Sequence, residues 1–438
     1  MLFSRLDRNI LALAVPALGA LAADPVVSLV DTAFVGRLGA TDLGALGVNV
    51  AIFSFAFLVF NFLAYGTTPR VARALGRGDK AAAGRAATQA ITLAVVLGVA
   101  ALVFLQIFAV PVLRLMGVGE TLHDPALAYL RIRALAGPAL LIITAAHGIF
   151  RGFQDTRTAL VVTLWFNAVN LVLDPLFIFG FAWGLAGAAW ATVIAQWVGA
   201  VHFLALLLAR KEEYRVPLVV PRPAELMPFL RIGWAMTVRT FSLIVTLTLA
   251  TAVATRVGVV EVAAHQVAAQ LWLFLALIVD ALAIAGQALI ARYLGAGEVA
   301  TARMVANRLL LWGLFFGILL TIVFAALWQV LPRAFTTDEL VIEALVSIYL
   351  FVALMQPLNA LVFVWDGIFM GAEDFAYLAK AMVISSLAAV ATLLLVIPFG
   401  WGLTGVWWSL VVLMLARGVT LALRYYGTRS PVPQASAP

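Results

Sequence analysis

The chain has 438 residues, 64% of them hydrophobic and only 11% charged, with a formal net charge of +7 and a mean hydropathy of +1.08. A soluble domain is about one quarter charged, so a chain this apolar is an integral membrane protein. The lack of cysteine excludes disulfides, thiolate metal sites and cysteine nucleophiles, and the 28 Lys and Arg are spread through short loops, which is a topology signal and not a nucleic-acid surface.

A helix needs about 20 apolar residues to cross a bilayer. Cutting the chain at charged and Gly/Pro-rich breaks predicts twelve spans, near 10–36, 44–69, 86–113, 124–147, 158–180, 185–209, 228–254, 262–291, 305–330, 342–365, 376–398 and 402–424. The short alternating strands of an outer-membrane barrel are missing from the pattern. Arg5, Arg8 and the following apolar run ending in Ala20-Leu21-Ala22 imitate a secretory signal, but the run continues well beyond that point and no cleavage is expected. Of the Lys and Arg, 21 fall on the side of the membrane that holds the termini, six (Arg37, Arg114, Arg131, Arg133, Arg256, Arg333) on the other, and Arg239 inside a span. Positive charge collects on the cytoplasmic side, so both termini are expected there, in a multi-pass plasma membrane (the inner membrane of a bacterium). The one long polar connection lies mid-chain. It divides the chain into an N-terminal six-helix bundle at 1–210, a cytoplasmic linker at 211–227, a C-terminal six-helix bundle at 228–426 and a polar tail at 427–438, expected to be disordered.

The two halves resemble each other at one constant offset, the spacing from Arg37 to Arg256. The same offset pairs Gly39 with Gly258, Arg73 with Arg292, Pro138 with Pro357, and "HGIFRG" at His147 with "DGIFMG" at Asp366. Six spans per half is an even number, so both halves enter the membrane from the same side, as in parallel-repeat transporters that bind substrate near the midplane.

Polar residues within spans are costly and commonly functional. Depth along each helix, at about 1.5 Å per residue, places Asp31 of span one, Tyr129 of span four, Asn170 and Asp174 of span five and Thr192 of span six at similar height in the outer half of the first bundle. Asn170 and Asp174 share a helix face, as do Thr192 and Gln196, and Asp24, Ser28 and Asp31 form one stripe on span one. Pro25 removes a hydrogen-bond donor beside that stripe, and Pro175 loosens span five after Asp174. Two carboxylates facing one low-dielectric cavity cannot both stay cheaply ionised, so the pair can take up and release H⁺. With the oxygens of Asn170 and Thr192 the same pair can instead hold Na⁺. The offset partners of Asp31 and Asp174 are Ala250 and Leu393, so the second half lacks the acid pair. It keeps Asp280, opposite Asn61 in the repeat, and Arg239. These two are read as pairing with each other or lining the cytoplasmic end of the cavity.

"LVDTAFVGRLG" in span one, "QDTRTAL" after span four, "NLVLDPLFIFG" in span five and "GLAGAAWATVIAQ" in span six resemble the multidrug and toxic compound extrusion (MATE) family, most closely its DinF-like branch. The resemblance covers almost the whole chain. It implies an all-α membrane fold of twelve helices in two pseudo-twofold-related six-helix bundles around a V-shaped cleft, and antiport of small organic compounds against H⁺ or Na⁺, with no cofactor and no metal beyond that possible Na⁺. It implies a coupling site at Asp31, Tyr129, Asn170, Asp174 and Thr192, the residues that depth alone selects, and bending of span one at Pro16 or Pro25. The NorM-like branch carries its acids in the second bundle; spans seven and eleven here hold none, which favours coupling in the first bundle, by H⁺. The expectation is therefore a monomeric secondary antiporter exporting organic, often cationic or amphipathic, compounds. Na⁺-coupled export, organic-acid export and a lipid-linked flippase are the alternatives. An enzyme is not expected: "GRGD" at Gly76 matches a fragment of aspartyl intramembrane proteases, but Asp79 sits in an Arg-rich loop and no partner motif exists.

Overall fold

A computed structural model describes residues 4–217 and 219–433. Among these residues the secondary structure is helical, with no strand. Ten helices are long and apolar enough to cross a membrane, and twelve spans result when each of two bent helix pairs is taken as one. Spans one to three are Arg5–Gly36, Ala40–Gly76 and Lys80–Ile107. Span four is Glu120–Ala134 followed by Gly137–Gly152, bent by 48°. Spans five to nine are Thr156–Gly180, Gly184–Ala209, Pro223–Val257, Val259–Gly295 and Val299–Ala326. Span ten is Glu339–Leu354 followed by Gln356–Gly371, bent by 49°, and spans eleven and twelve are Phe375–Val396 and Gly402–Tyr426.

The two bends fall at the paired prolines, Pro138 and Pro357, each at the start of its second helical segment. Proline is well placed there because the first-turn N–H groups have no intrahelical partner. Each bend brings a span onto a neighbouring glycine: a Cβ on Gly98 would lie 2.5 Å from Pro138 Cα, and one on Gly317 would lie 2.6 Å from Pro357 Cα. Further along the same spans, a Cβ on Gly148 would lie 2.9 Å from Ala64 Cα, and one on Gly367 would lie 2.6 Å from Ala283 Cα. Every residue of the first set maps onto its counterpart in the second by the offset that relates Arg37 to Arg256, so the sequence repeat is also a packing repeat. Small residues let helix backbones approach in the membrane, where dispersion contacts and not the hydrophobic effect hold helices together. Gly367→Val should therefore cost about 3 kcal/mol, the upper end for overpacking, seen as a lower unfolding temperature of the detergent-purified protein. An unchanged unfolding temperature would show that this contact is slack.

Two compact units emerge. One runs from Val15 to Gly233; the other joins the residues up to Ala14 with those from Trp234 onward. Both boundaries fall inside helices, and the repeat offset separates them too. In the first unit the linker packs on span three, where the Thr88 hydroxyl donates to Pro217 O at 2.9 Å, and the start of span seven packs on span two, where Arg70 lies 4.3 Å from the Phe229 ring centroid. In the second, Asp7 accepts from Arg308 Nε at 2.6 Å and Trp312 Nε1 at 2.7 Å, tying the start of span one to span nine. Of the tail at 427–438, residues 434–438 lie outside the described residues; before them, Arg303 donates to Val432 O at 2.8 Å and to Ser430 Oγ at 3.2 Å.

Candidate functional site

Spans one, two, four, five and six of the first unit enclose a polar cavity of about 260 Å³. Its wall includes Asp24, Ser28, Asp31, Tyr129, Asn170, Thr192 and Gln196, so seven of the residues singled out from sequence converge on one space. Span one supplies its acidic stripe from a helix that continues through both Pro16 and Pro25. Span five supplies Asn170, and immediately after Pro175 its backbone changes from α to π over Leu176–Gly180. This is the loosening expected where a proline withholds its hydrogen bond, and such π segments recur at functional sites.

Asp174 does not line the cavity. It is fully buried, and its carboxyl group lies within hydrogen-bonding reach of that of Asp31, which does line it. No protein donor reaches Asp31 Oδ1 or either oxygen of Asp174, and Asn170 Nδ2 is equally without a protein partner. Buried carboxyl oxygens are normally hydrogen-bonded, so these atoms keep hydrogen-bonding capacity that the protein does not fill. Thr192 donates its hydroxyl to Ala188 O at 2.9 Å, which leaves its lone pairs for the cavity.

Arg133 and Asn167 are among the cavity residues that escape the sequence reading. Arg133 lines the wall, donates to Gln196 Oε1 at 2.9 Å and lies 5.0 Å from the Phe53 ring centroid. It stands near the Tyr129 hydroxyl. Counting it as an outer-loop charge is therefore corrected: it follows Tyr129 by four residues, one turn along the same face, which is the signal that finds it. Asn167, one turn before Asn170, donates to Asp24 Oδ1 at 2.8 Å. Arg133 and Asn167 leave the cavity with fixed donors as well as acids.

The remaining sequence candidates lie elsewhere. Asn61 sits in a short 3-10 break of span two, outside the cavity wall. Arg239 and Asp280 belong to the second unit. There Arg239 donates to Asp366 Oδ2, and Arg417 donates to the same oxygen at 2.5 Å. Asp366, a residue 4% exposed, is thus a partner of Arg239 that sequence did not name. No cluster of His, Cys, Asp and Glu suited to a metal ion occurs among the described residues.

Comparison with known proteins agrees with this layout. The MatE family model matches twice, over residues 16–176 and 235–395, and the repeat offset carries the first match onto the second. Protein DETOXIFICATION 44, chloroplastic, of Arabidopsis thaliana is 36% identical over 97% of this chain and 83% of its own length. A probable multidrug resistance protein NorM of Thermotoga maritima is 25% identical over 77% of this chain and 74% of its own. A crystal structure of MATE in the bent conformation superposes with a TM-score of 0.88 at 20% identity, covering 96% of this chain and 94% of that one. A multidrug resistance MATE family transporter in an outward-facing conformation superposes with a TM-score of 0.86 at 21% identity, over 96% and 94%. Fold and family define a multi-pass membrane transporter and not an enzyme. The chain belongs to the MATE family, the multidrug and toxic compound extrusion transporters, whose members move small organic substrates at the expense of ion gradients.

Proposed function

We propose that the chain is a proton-coupled antiporter of DinF-like type, exporting organic compounds, often cationic or amphipathic, with Asp31 and Asp174 as the coupling pair. The carrying observation is that these carboxyl groups adjoin each other, Asp31 on the cavity wall and Asp174 fully buried beside it, with no protein donor to Asp31 Oδ1 or to either Asp174 oxygen. In a low-dielectric site two such groups need a bridging cation or proton. Spans seven and eleven hold no acid over 228–254 and 376–398, which favours coupling in the first bundle, by H⁺. Tyr129, Asn170 and Thr192 then orient the acids and the substrate. A proton arriving from outside neutralises the pair, the substrate loses its counter-charge and leaves outward, and inward turning releases the proton. Each charge crossing is worth about 2.3 kcal/mol per 100 mV. With Arg133 assigned to the cavity, the 21-to-5 distribution of loop Lys and Arg still supports cytoplasmic termini in a plasma membrane, and we take the working unit to be a monomer. In reconstituted vesicles, an imposed ΔpH should drive substrate movement and an imposed Na⁺ gradient should not. Drive by Na⁺ alone would overturn the proton assignment.

Export of organic acids is a second reading, and Arg133 favours it: a guanidinium beside Tyr129 and Phe53 offers a carboxylate a charged partner. Under that reading Arg133→Gln should weaken carboxylate-bearing substrates by roughly ten- to a hundredfold, the equivalent of a hydrogen bond to a charged group, and leave purely cationic ones unharmed. Equal losses for both classes in a binding assay would assign Arg133 to holding Gln196. A lipid-linked flippase fits less well, because pyrophosphate calls for several cations and the cavity wall carries one.

A further inference from the structure

The outer surface of the first unit carries a second concave feature, lined by none of the residues of the polar cavity. Spans four, five and six form an apolar hollow of about 670 Å³ walled by Trp165, Trp190 and Trp197. All three rings are substantially exposed, at 54%, 37% and 39%. Tryptophan on membrane proteins collects at the two interfaces, yet Trp165 and Trp197 stand near the middle of their spans. The indole of Trp197 is fixed by donating to Leu135 O at 3.1 Å. A hollow of exposed indoles, one of them fixed mid-membrane, suits the grip of one chain better than the random contact of many.

At His202 this hollow meets another, of about 450 Å³, that opens where span five begins and span six ends. Its lining includes Asp155, Arg157 and Arg210. Asp155 is committed: it accepts from Arg210 at 2.8 Å and from the Thr158 amide at 2.9 Å. Burial pushes the Asp155 carboxyl up, but the Thr158 hydroxyl and amide and Arg210 outweigh it and hold it below the usual carboxylate range. Arg157 is exposed and has no ion-pair partner among the described residues. Two arginines against one acid leave the mouth with a surplus positive charge. From His202 to Trp190 is twelve helical residues, about 18 Å, and one leaflet's hydrocarbon is half of a core roughly 30 Å thick.

We propose that this continuous groove holds one anionic phospholipid, its phosphate at Arg157 and Arg210 and one acyl chain along the tryptophans. Native mass spectrometry of the detergent-purified, full-length protein tests this, with phosphatidylglycerol and phosphatidylcholine of identical chains as probes. The wild type should retain one phosphatidylglycerol at detergent levels that strip phosphatidylcholine. Arg157→Gln should lower that preference about fivefold, the effect of one arginine on an anionic lipid. Trp190→Ala should lower retention of both lipids. Equal retention of the two lipids by the wild type would reduce the groove to ordinary lipid contact and overturn the proposal. So would competition by inorganic phosphate alone, which would mean an anion site with no use for the chain. Preference unaffected by Arg157→Gln would place the lipid elsewhere.

Discussion

Replacing Asp31 with asparagine should bring proton-driven substrate movement down to the level of protein-free vesicles and should not lower the unfolding temperature. Asp31 Oδ1 and both Asp174 oxygens receive no protein donor, so the change removes no hydrogen bond from those atoms. The new amide can donate to the adjoining Asp174 carboxyl, a gain of about 1 kcal/mol. The loss is of charge chemistry alone: an amide neither binds nor releases the proton that the exchange requires. Transport under an imposed ΔpH and thermal unfolding in detergent, measured on the same preparation, separate the two effects. Wild-type transport by Asp31→Asn would remove Asp31 from the coupling site. A clear fall in stability would make it interhelical glue, the common structural role of polar residues in spans.

Asp366→Ala should destabilise the second unit by about 3–5 kcal/mol, the cost of leaving a buried charge without its partner. Arg239 and Arg417 both donate to Asp366 Oδ2, and the Arg417 side chain is only 3% exposed, with Met414 Sδ at 3.4 Å as a weak neighbour. Removing the acid strands at least Arg417 in the interior. The double change Asp366→Leu with Arg417→Met removes both ends of that pair and should recover much of the loss, because well-packed apolar replacements of buried pairs are often neutral. Denaturation of the purified protein measures both. A loss below about 1 kcal/mol for the single change would mean that water or lipid reaches these arginines. The same geometry explains why the second half of the chain holds no free cation-binding acid at this position: the carboxylate already serves two guanidinium groups.

Much of this was legible in the sequence, for identifiable reasons. Hydrocarbon thickness fixes the length of a span, so apolar runs between charged breaks locate twelve of them. The repeat reports its own packing, since Gly98 with Pro138 and Gly148 with Ala64 recur in the second half as Gly317 with Pro357 and Gly367 with Ala283. The cavity was legible because a polar side chain inside a span has few places to go, and helical rise converts its position into a depth. That reasoning brought Asp31, Tyr129, Asn170 and Thr192 to one wall. Depth says nothing of azimuth between different helices, so it did not reveal that Asp174 lies off that wall, fully buried beside Asp31. Nor does a count of loop charges distinguish Arg131, which is exposed, from Arg133, which turns into the cavity; only the one-turn spacing from Tyr129 does. The pairing of Arg239 with Asp366 joins residues 127 positions apart. No local pattern encodes such a contact.

The central claim is that a proton shared by Asp31 and Asp174 leaves when substrate binds and returns when it goes. Counting protons released per substrate bound, by calorimetry of the purified protein in buffers of different ionisation enthalpy, tests it most directly. The account predicts release of about one proton per cationic ligand, since the pair titrates as a unit, and none from Asp174→Asn. Substrate binding to the wild type with no proton released at any pH would contradict it.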